Sequence, residues 1–233
     1  MIALTLQEIA DITGGRLDCV EDPSAQVTGF VEFDSRKVTP GGLFLALPGA
    51  RVDGHDFAEK AVASGAVAVL AARPVGVSAI VVEPKGKVEG DGANADIYAN
   101  DEDGSAAAVI EALSALARAV TQRLATDSAL NIVGVTGSAG KTSTKDLIAT
   151  IFRAAGETVA PPGSFNNEVG LPYTALRCDE HTEYLVAEMS ARGIGHIRHL
   201  TNITAPKVGV VLNVGSAHLG EFGSRENLSL IHI

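Results

Sequence analysis

The chain has 233 residues, of which 46% are hydrophobic and 4% aromatic with no tryptophan, and carries a formal net charge of −10. That length supports one large or two ordinary domains with real cores, and the apolar content excludes overall disorder. Scarce aromatics and the negative charge argue against a nucleic-acid surface built on base stacking or phosphate attraction.

The N-terminal run MIALTLQEIAD has no basic flank and is interrupted by Glu8 and Asp11. It therefore reads as neither a signal peptide nor a membrane span, and a cytoplasmic protein is expected. Leu6, Ile9 and Ala10 at helical spacing predict a first helix. Strands are expected near 27–33 and 42–46, a helix near 57–64, and strands at 66–71 and 78–82. Cys19 and Cys178 lie far apart without metal-ligand spacing and are expected to be ordinary reduced thiols.

Within 84–104 six acids (Glu89, Asp91, Asp96, Asp101, Glu102 and Asp103) stand without a base from Glu89 onward, in Gly-, Asn- and Ala-rich sequence. The composition predicts a solvated loop. Ser105 is a candidate cap for a long helix over 105–125, with Val109, Leu113, Leu116, Val120 and Leu124 on one face. A domain joint is expected at 126–131, dividing the chain into 1–128 and 129–233.

Beyond the joint the order is strand (131–136), helix (140–155), strand (157–160), a short helix after Asn167, strand (184–188), helix, and strand (207–213). This alternation predicts an α/β fold with a mostly parallel sheet covered on both faces. Leu147, Ile148, Ile151 and Phe152 have helical spacing in the segment after Gly140.

The sharpest motif is 132–143, IVGVTGSAGKTS, an apolar strand entering a glycine turn at the mouth of a helix. It is a shortened form of the phosphate loop, because the common G-x-x-x-x-G-K-[ST] pattern needs a glycine where this chain has Val135. Backbone N–H groups at the helix start and the helix dipole favour an anion there. Gly137, Ser138, Ala139, Gly140, Lys141, Thr142 and Ser143 are the candidate nucleotide-binding residues, Lys141 reaching the terminal phosphates and the Thr142 hydroxyl completing a Mg²⁺ shell.

Glu188 ends an apolar strand and would lie beside this loop, where Mg²⁺ needs oxygen ligands. His218 follows the next strand in a glycine-rich loop; alone it reads as structural or exposed, and a second metal site there is supported only by the sheet edge it shares with Lys141 and Glu188. Asn166 and Asn167 offer hydrogen bonds to a substrate, or a cap to the helix after them. Nearer the N-terminus, 34–57 reads DSRKVTPGGLFLALPGARVDGHDF. Ser35, Arg36 and Lys37 form a cationic turn able to hold a diphosphate, and Asp53, Gly54 and His55 a second polar turn. Spacing alone leaves these as a site or as two surface loops joined by a strand.

Taken together, these residues resemble the Mur ligases of peptidoglycan synthesis. The likeness covers almost the whole chain: 136–143 matches the family's shortened phosphate loop, Glu188 and His218 its metal-binding pair, and 34–57 the signature that engages a UDP-sugar. The resemblance implies a small N-terminal α/β substrate domain followed by an incomplete, mostly parallel ATP-binding domain, the C-terminal domain being absent. It further implies ATP and Mg²⁺ as cofactors, Lys141, Glu188 and His218 as catalytic residues, Thr142, Glu188 and His218 at the metal, and Ser35, Arg36, Asp53, Gly54, His55, Asn166, Asn167, Ser190 and Arg192 on the substrates.

Segments 166–172, 188–190 and 213–224 resemble the member that adds D-alanyl-D-alanine to UDP-MurNAc-tripeptide through an acyl phosphate, acting as a monomer. A related amino acid ligase and a non-catalytic UDP-sugar-binding module are the alternatives. Two departures stand out. His196 occupies a position that is usually acidic in the family, and the family's metal-organising lysine would fall near His232, in a tail, Leu228-Ser-Leu-Ile-His-Ile233, unlike family sequence. A truncated chain with little activity of its own is therefore expected.

Overall fold

Thr5 and Glu8 close a reciprocal cap on the first helix, α1 (Leu6–Thr13): the Thr5 hydroxyl accepts from Glu8 N–H at 3.1 Å, and Glu8 Oε2 accepts from Thr5 N–H at 2.9 Å. Leu6, Ile9 and Ala10 form its buried face, as their spacing predicts. The computed structural model describes residues 1–49, 52–87, 98, 101–190 and 195–214.

The main sheet of the N-terminal unit has the order β2 (Arg16–Asp18), β7 (Ala79–Val81), β6 (Ala68–Ala71), β5 (Leu43–Leu45), β4 (Val31–Glu32). Its pairs are parallel except at the β2 edge. Every residue of β5, β6 and β7 is buried, which is the unbroken apolar run that a sheet covered on both faces demands. Phe44, Ala46, Val69, Ala71 and Val81 pack with Ala58 and Ala61 of α2 (Ala58–Ala63), which follows a 3₁₀ turn at Gly54–Phe57. The strand expected at 27–33 is two: β3 (Gln26–Val27) pairs antiparallel with β1 (Leu4–Thr5), and β4 enters the main sheet.

Helix α3 (Ser105–Asp127) buries Val109, Leu113, Leu116, Val120 and Leu124, the predicted face. Its cap differs from expectation. Asp101, only 3% exposed, accepts Ala106 N–H at 2.9 Å and Ala107 N–H at 3.0 Å, while Ser105 donates its own N–H to Asp103. The two oxygens of the carboxylate each take one of the N–H groups that a helix start leaves over. Asp101 thus belongs to the core boundary and not to a solvated loop; Glu89, Asp91 and Asp96 lie outside the described residues. The chain divides into its two units inside α3, between Leu116 and Ala117.

The second unit is built on a wholly parallel sheet of order β11 (Val208–Val211), β8 (Asn131–Thr136), β10 (Tyr184–Glu188), β9 (Thr158–Val159). Connections pass through α4 (Lys141–Arg153), α5 (Gly170–Ala175) and α6 (His196–Thr204). Val133, Val135 and Val186 pack with Ala149 of α4, and Ile148 and Phe152 join them. Leu147 and Ile151 instead are 66% and 67% exposed. At 100° per residue they fall opposite Ala149, so only half of the expected apolar set meets the sheet. The buried face of α4 includes Lys145, whose ammonium donates to Asp146 Oδ1 at 2.6 Å and to the Pro161 carbonyl at 2.8 Å. No described helix is long and apolar enough to cross a membrane.

Candidate functional site

β8 is an interior strand, and its C-terminal end delivers the loop 137–140 between the ends of β10 and β11. Gly137 and Gly140 both have positive φ, 138° and 83°, which explains why the turn needs glycine at those two positions. Gly140 sits at the N-cap of α4 without any side-chain cap, so the N–H groups of the first turn are left to whatever anion comes to them. A cleft of about 330 Å³ opens here. Six of the seven predicted loop residues, Ser138 through Ser143, line it, together with Ser164, Asn166, Glu188 and Ser190. Gly137 is buried behind them.

Lys141 donates to the Gly137 carbonyl at 2.7 Å, folding its ammonium over the loop. Burial pushes its pKa below the ordinary lysine value, and the nearby Glu188 charge opposes that shift. The Thr142 hydroxyl lies 3.2 Å from that of Ser164.

Glu188 is the last residue of β10, in register with Val135 of β8, and is 1% exposed. Its Oε1 accepts from Asn166 Nδ2–H at 2.8 Å; its Oε2 has no hydrogen-bond partner among the described residues. An unpartnered buried carboxylate oxygen is unfavourable by at least about 1–3 kcal/mol, and a hard divalent cation is the natural complement for it. Mg²⁺ keeps several waters and takes one or two carboxylates plus substrate phosphates, so a single Glu with a neighbouring Thr hydroxyl fits it. No cluster of three His, Cys, Asp or Glu forms among the described residues. His218 and Arg192 lie outside the described residues, as does the tail after 214.

The two asparagines separate in role. Asn166 holds Glu188, and its carbonyl accepts Ser190 N–H at 3.0 Å. Asn167 caps α5, its Oδ1 accepting Gly170 N–H at 2.9 Å. Two residues that the motifs did not single out also shape the site. Ser164 reaches Thr142, and Asn213, just past β11, holds the Ala139 peptide through its side-chain amide. A serine in the loop after β9 and an asparagine ending a strand carry little signal until the sheet order sets them beside the phosphate loop.

In the N-terminal unit, Arg36 forks onto Asp34 with two bonds of 2.8 Å and holds that carboxyl well below the usual range; Ser35 is buried between them in sequence. His55 is buried, with both ring nitrogens engaged. Its Nε2 accepts Ala72 N–H at 3.0 Å, which leaves Nδ1–H to donate to Asp53 Oδ1 at 2.6 Å. Asp53 Oδ2 accepts from Arg73 at 2.8 Å, and Gly54 N–H donates to the Leu47 carbonyl at 2.9 Å. Burial raises the Asp53 pKa, but the bonds from His55 and Arg73 outweigh it and bring it to about 2. His55 therefore positions the Asp53 turn and has no nitrogen left over for a ligand.

Residues 28–121 match the family model described as "Mur ligase family, catalytic domain", and residues 135–230 the one described as "Mur ligase middle domain". The UDP-N-acetylmuramoyl-tripeptide–D-alanyl-D-alanine ligase of Mycobacterium leprae (strain TN) is 58% identical over 232 residues, covering 98% of this chain and 44% of that protein. A crystal structure of MurF from Acinetobacter baumannii is similar with a TM-score of 0.78 at 29% identity, over 99% of this chain and 45% of its own. MurF ligase from Thermotoga maritima, solved in complex with ADP, gives 0.67 at 35% identity, over 88% and 42%. The chain thus spans less than half the length of these relatives.

Proposed function

The chain belongs to the Mur ligase family, and from that premise we propose that it forms the UDP-sugar-binding and phosphate-loop portion of an ATP-dependent ligase that joins D-alanyl-D-alanine to UDP-MurNAc-tripeptide. The observation that carries this reading is the cleft at the end of β8, where an uncapped helix start, Lys141 and a half-partnered buried Glu188 face the same space.

In the proposed reaction the tripeptide carboxylate attacks the γ-phosphorus of ATP, giving an acyl phosphate and ADP. The amine of D-alanyl-D-alanine then attacks the acyl carbon, forming the amide and releasing phosphate. Gly140 to Ser143 supply N–H groups and hydroxyls to the phosphates, and Lys141 exchanges its Gly137 contact for phosphoryl oxygens. Positioning and charge stabilisation of this kind account for most of phosphoryl-transfer catalysis. Bound Mg²⁺, held by Glu188, Thr142 and, by resemblance, His218, would neutralise phosphate charge. Asn166 orients Glu188, and Ser190 and Arg192 are proposed on the peptide substrate. Ser35 and Arg36 are proposed at the UDP-sugar, with Asp53, Gly54 and His55 shaping the turn beside them.

The test is calorimetric titration of the chain with ADP and ATP in Mg²⁺, followed by incubation with both substrates and mass spectrometry for the pentapeptide product. Binding that Lys141→Ala weakens at least tenfold is expected. Equal binding by Lys141→Ala, or none by the unaltered chain, would overturn the nucleotide reading. Nucleotide binding without product supports the phosphate-loop portion of the reading and assigns completion of the reaction to sequence that the longer relatives possess.

A further inference from the structure

Asn213 meets the phosphate loop with every polar group it has on that side. Its Oδ1 accepts Ala139 N–H at 3.2 Å, its Nδ2–H donates to the Ala139 carbonyl at 3.1 Å, and its own carbonyl accepts Ser138 N–H at 3.2 Å. One residue earlier, Leu212 N–H donates to the Thr136 carbonyl at 3.0 Å. The ladder between β8 and β11 therefore runs on past the strand ends into the loop. The approach is close: a Cβ on Gly137 would stand 3.1 Å from Leu212 Cβ and 3.2 Å from Asn213 N.

The chemistry of this contact is selective. A planar amide can donate to the carbonyl and accept from the N–H of one residue at once, as two parallel bonds to the two peptide groups that flank it. Aspartate has no donor for the carbonyl, alanine has neither group, and glutamine places its amide one methylene further out. The segment held in this way contains two glycines with positive φ, whose freedom in a loose loop would have to be lost on binding a ligand. Ordering it during folding removes that loss from the binding step.

We propose that Asn213 is a positioning residue of the nucleotide site: its amide fixes Ala139 through the N–H and the carbonyl of that residue, and with it the path of the loop from Gly137 to Gly140, before nucleotide arrives. The inference rests on the nucleotide reading of the cleft. It gives a role to an asparagine that touches the loop from behind the cleft and reaches the phosphates only through it.

Two readouts on the whole chain separate this inference from the reading beneath it. One is hydrogen exchange at the Ala139 amide, followed by NMR without nucleotide. The other is ADP affinity in Mg²⁺ by calorimetry, with thermal unfolding as a check that each variant folds. Asn213→Ala is expected to exchange the Ala139 amide about fivefold faster or more and to bind ADP about fivefold more weakly, the worth of one to two exposed hydrogen bonds. Asn213→Asp keeps the acceptor, so exchange there stays slow, while its carboxylate opposes the Ala139 carbonyl and ADP affinity still falls. Unchanged exchange in Asn213→Ala overturns the clamp. Unchanged ADP affinity in Asn213→Ala, with normal binding by the unaltered chain, overturns the positioning role. Absence of ADP binding by the unaltered chain overturns the nucleotide reading and the positioning role with it, and exchange alone then decides the clamp.

Discussion

Asn166 and Glu188, 22 positions apart, share a hydrogen bond of 2.8 Å that occupies one carboxylate oxygen, and the other oxygen has no partner among the described residues. The amide turns Glu188 so that its charge is half-satisfied by protein and half left for a cation. Mg²⁺ is therefore expected to raise the melting temperature of the chain, and Glu188→Gln to abolish that rise. At ten times its dissociation constant a ligand stabilises by about 1.4 kcal/mol, or roughly 3–6 °C for a chain of this size. Thermal scans with and without Mg²⁺ check this. An equal rise in Glu188→Gln would remove the carboxylate from the metal site.

Lys141 carries a conflict between folding and binding. Burial lowers its pKa from 10.5 while Glu188 pulls the other way. Because the folded value lies below the unfolded one, the unfolded chain holds this proton more tightly. The contribution of Lys141 to stability accordingly rises with pH as the folded value is passed on the way to 10.5. Lys141→Met is expected to make the nucleotide-free chain no less stable at pH 7 and to flatten this alkaline rise. Urea unfolding between pH 7 and 10 measures both.

Lys145 is 0% exposed, and its ammonium joins α4 to the Pro161 carbonyl in the segment that leads to Ser164 and Asn166. Lys145→Met keeps the bulk and leaves that carbonyl without its donor, a destabilisation of about 1–3 kcal/mol. Lys145→Ala adds a cavity and should bring the total to about 2–5 kcal/mol. Denaturant unfolding gives the two values, and faster hydrogen exchange confined to 161–166 would localise the effect.

Asp53 titrates at about 2 in the folded chain, below its ordinary 3.8, so the stability it contributes is present above pH 4 and is lost as the pH falls from 4 through 2. Its side chain is 36% exposed, and after allowance for solvent screening the contribution is on the order of 1 kcal/mol. Asp53→Asn should lower stability at pH 6 by about that amount and remove this part of the acid loss. Urea midpoints from pH 2 to 6 provide the comparison.

Most of the secondary structure was legible because buried parallel strands write themselves as apolar runs: AVLA over 68–71 and YLVAE over 184–188 are found where the pattern puts them. The strands that escaped notice, β1 and β2, are two and three residues long and too short to alternate. The candidate phosphate loop was legible for a different reason, since two glycines at fixed spacing meet a positive-φ backbone need and the lysine and threonine after them add the ammonium and hydroxyl that phosphate and metal call for. The second layer of the site was not. Asn213 acts across the sheet, and its partner at Ala139 is fixed by strand order, which no local pattern records. Asp101 misled in the opposite sense: an acid in an acidic run looks solvated, but this one is buried beneath the start of α3.

The Ala139–Asn213 contact spans 74 positions of sequence. A nascent chain emerging from the ribosome exposes the whole motif at 136–143 long before the asparagine that secures it. Through that interval the loop has its glycines and its lysine but not its brace, so on the proposed reading its preorganisation for a phosphate arrives only when β11 docks beside β8. Among the described strands of this sheet the last in sequence is thus the one that braces the motif after β8, and on the proposed nucleotide reading capture of nucleotide would report that β11 has docked.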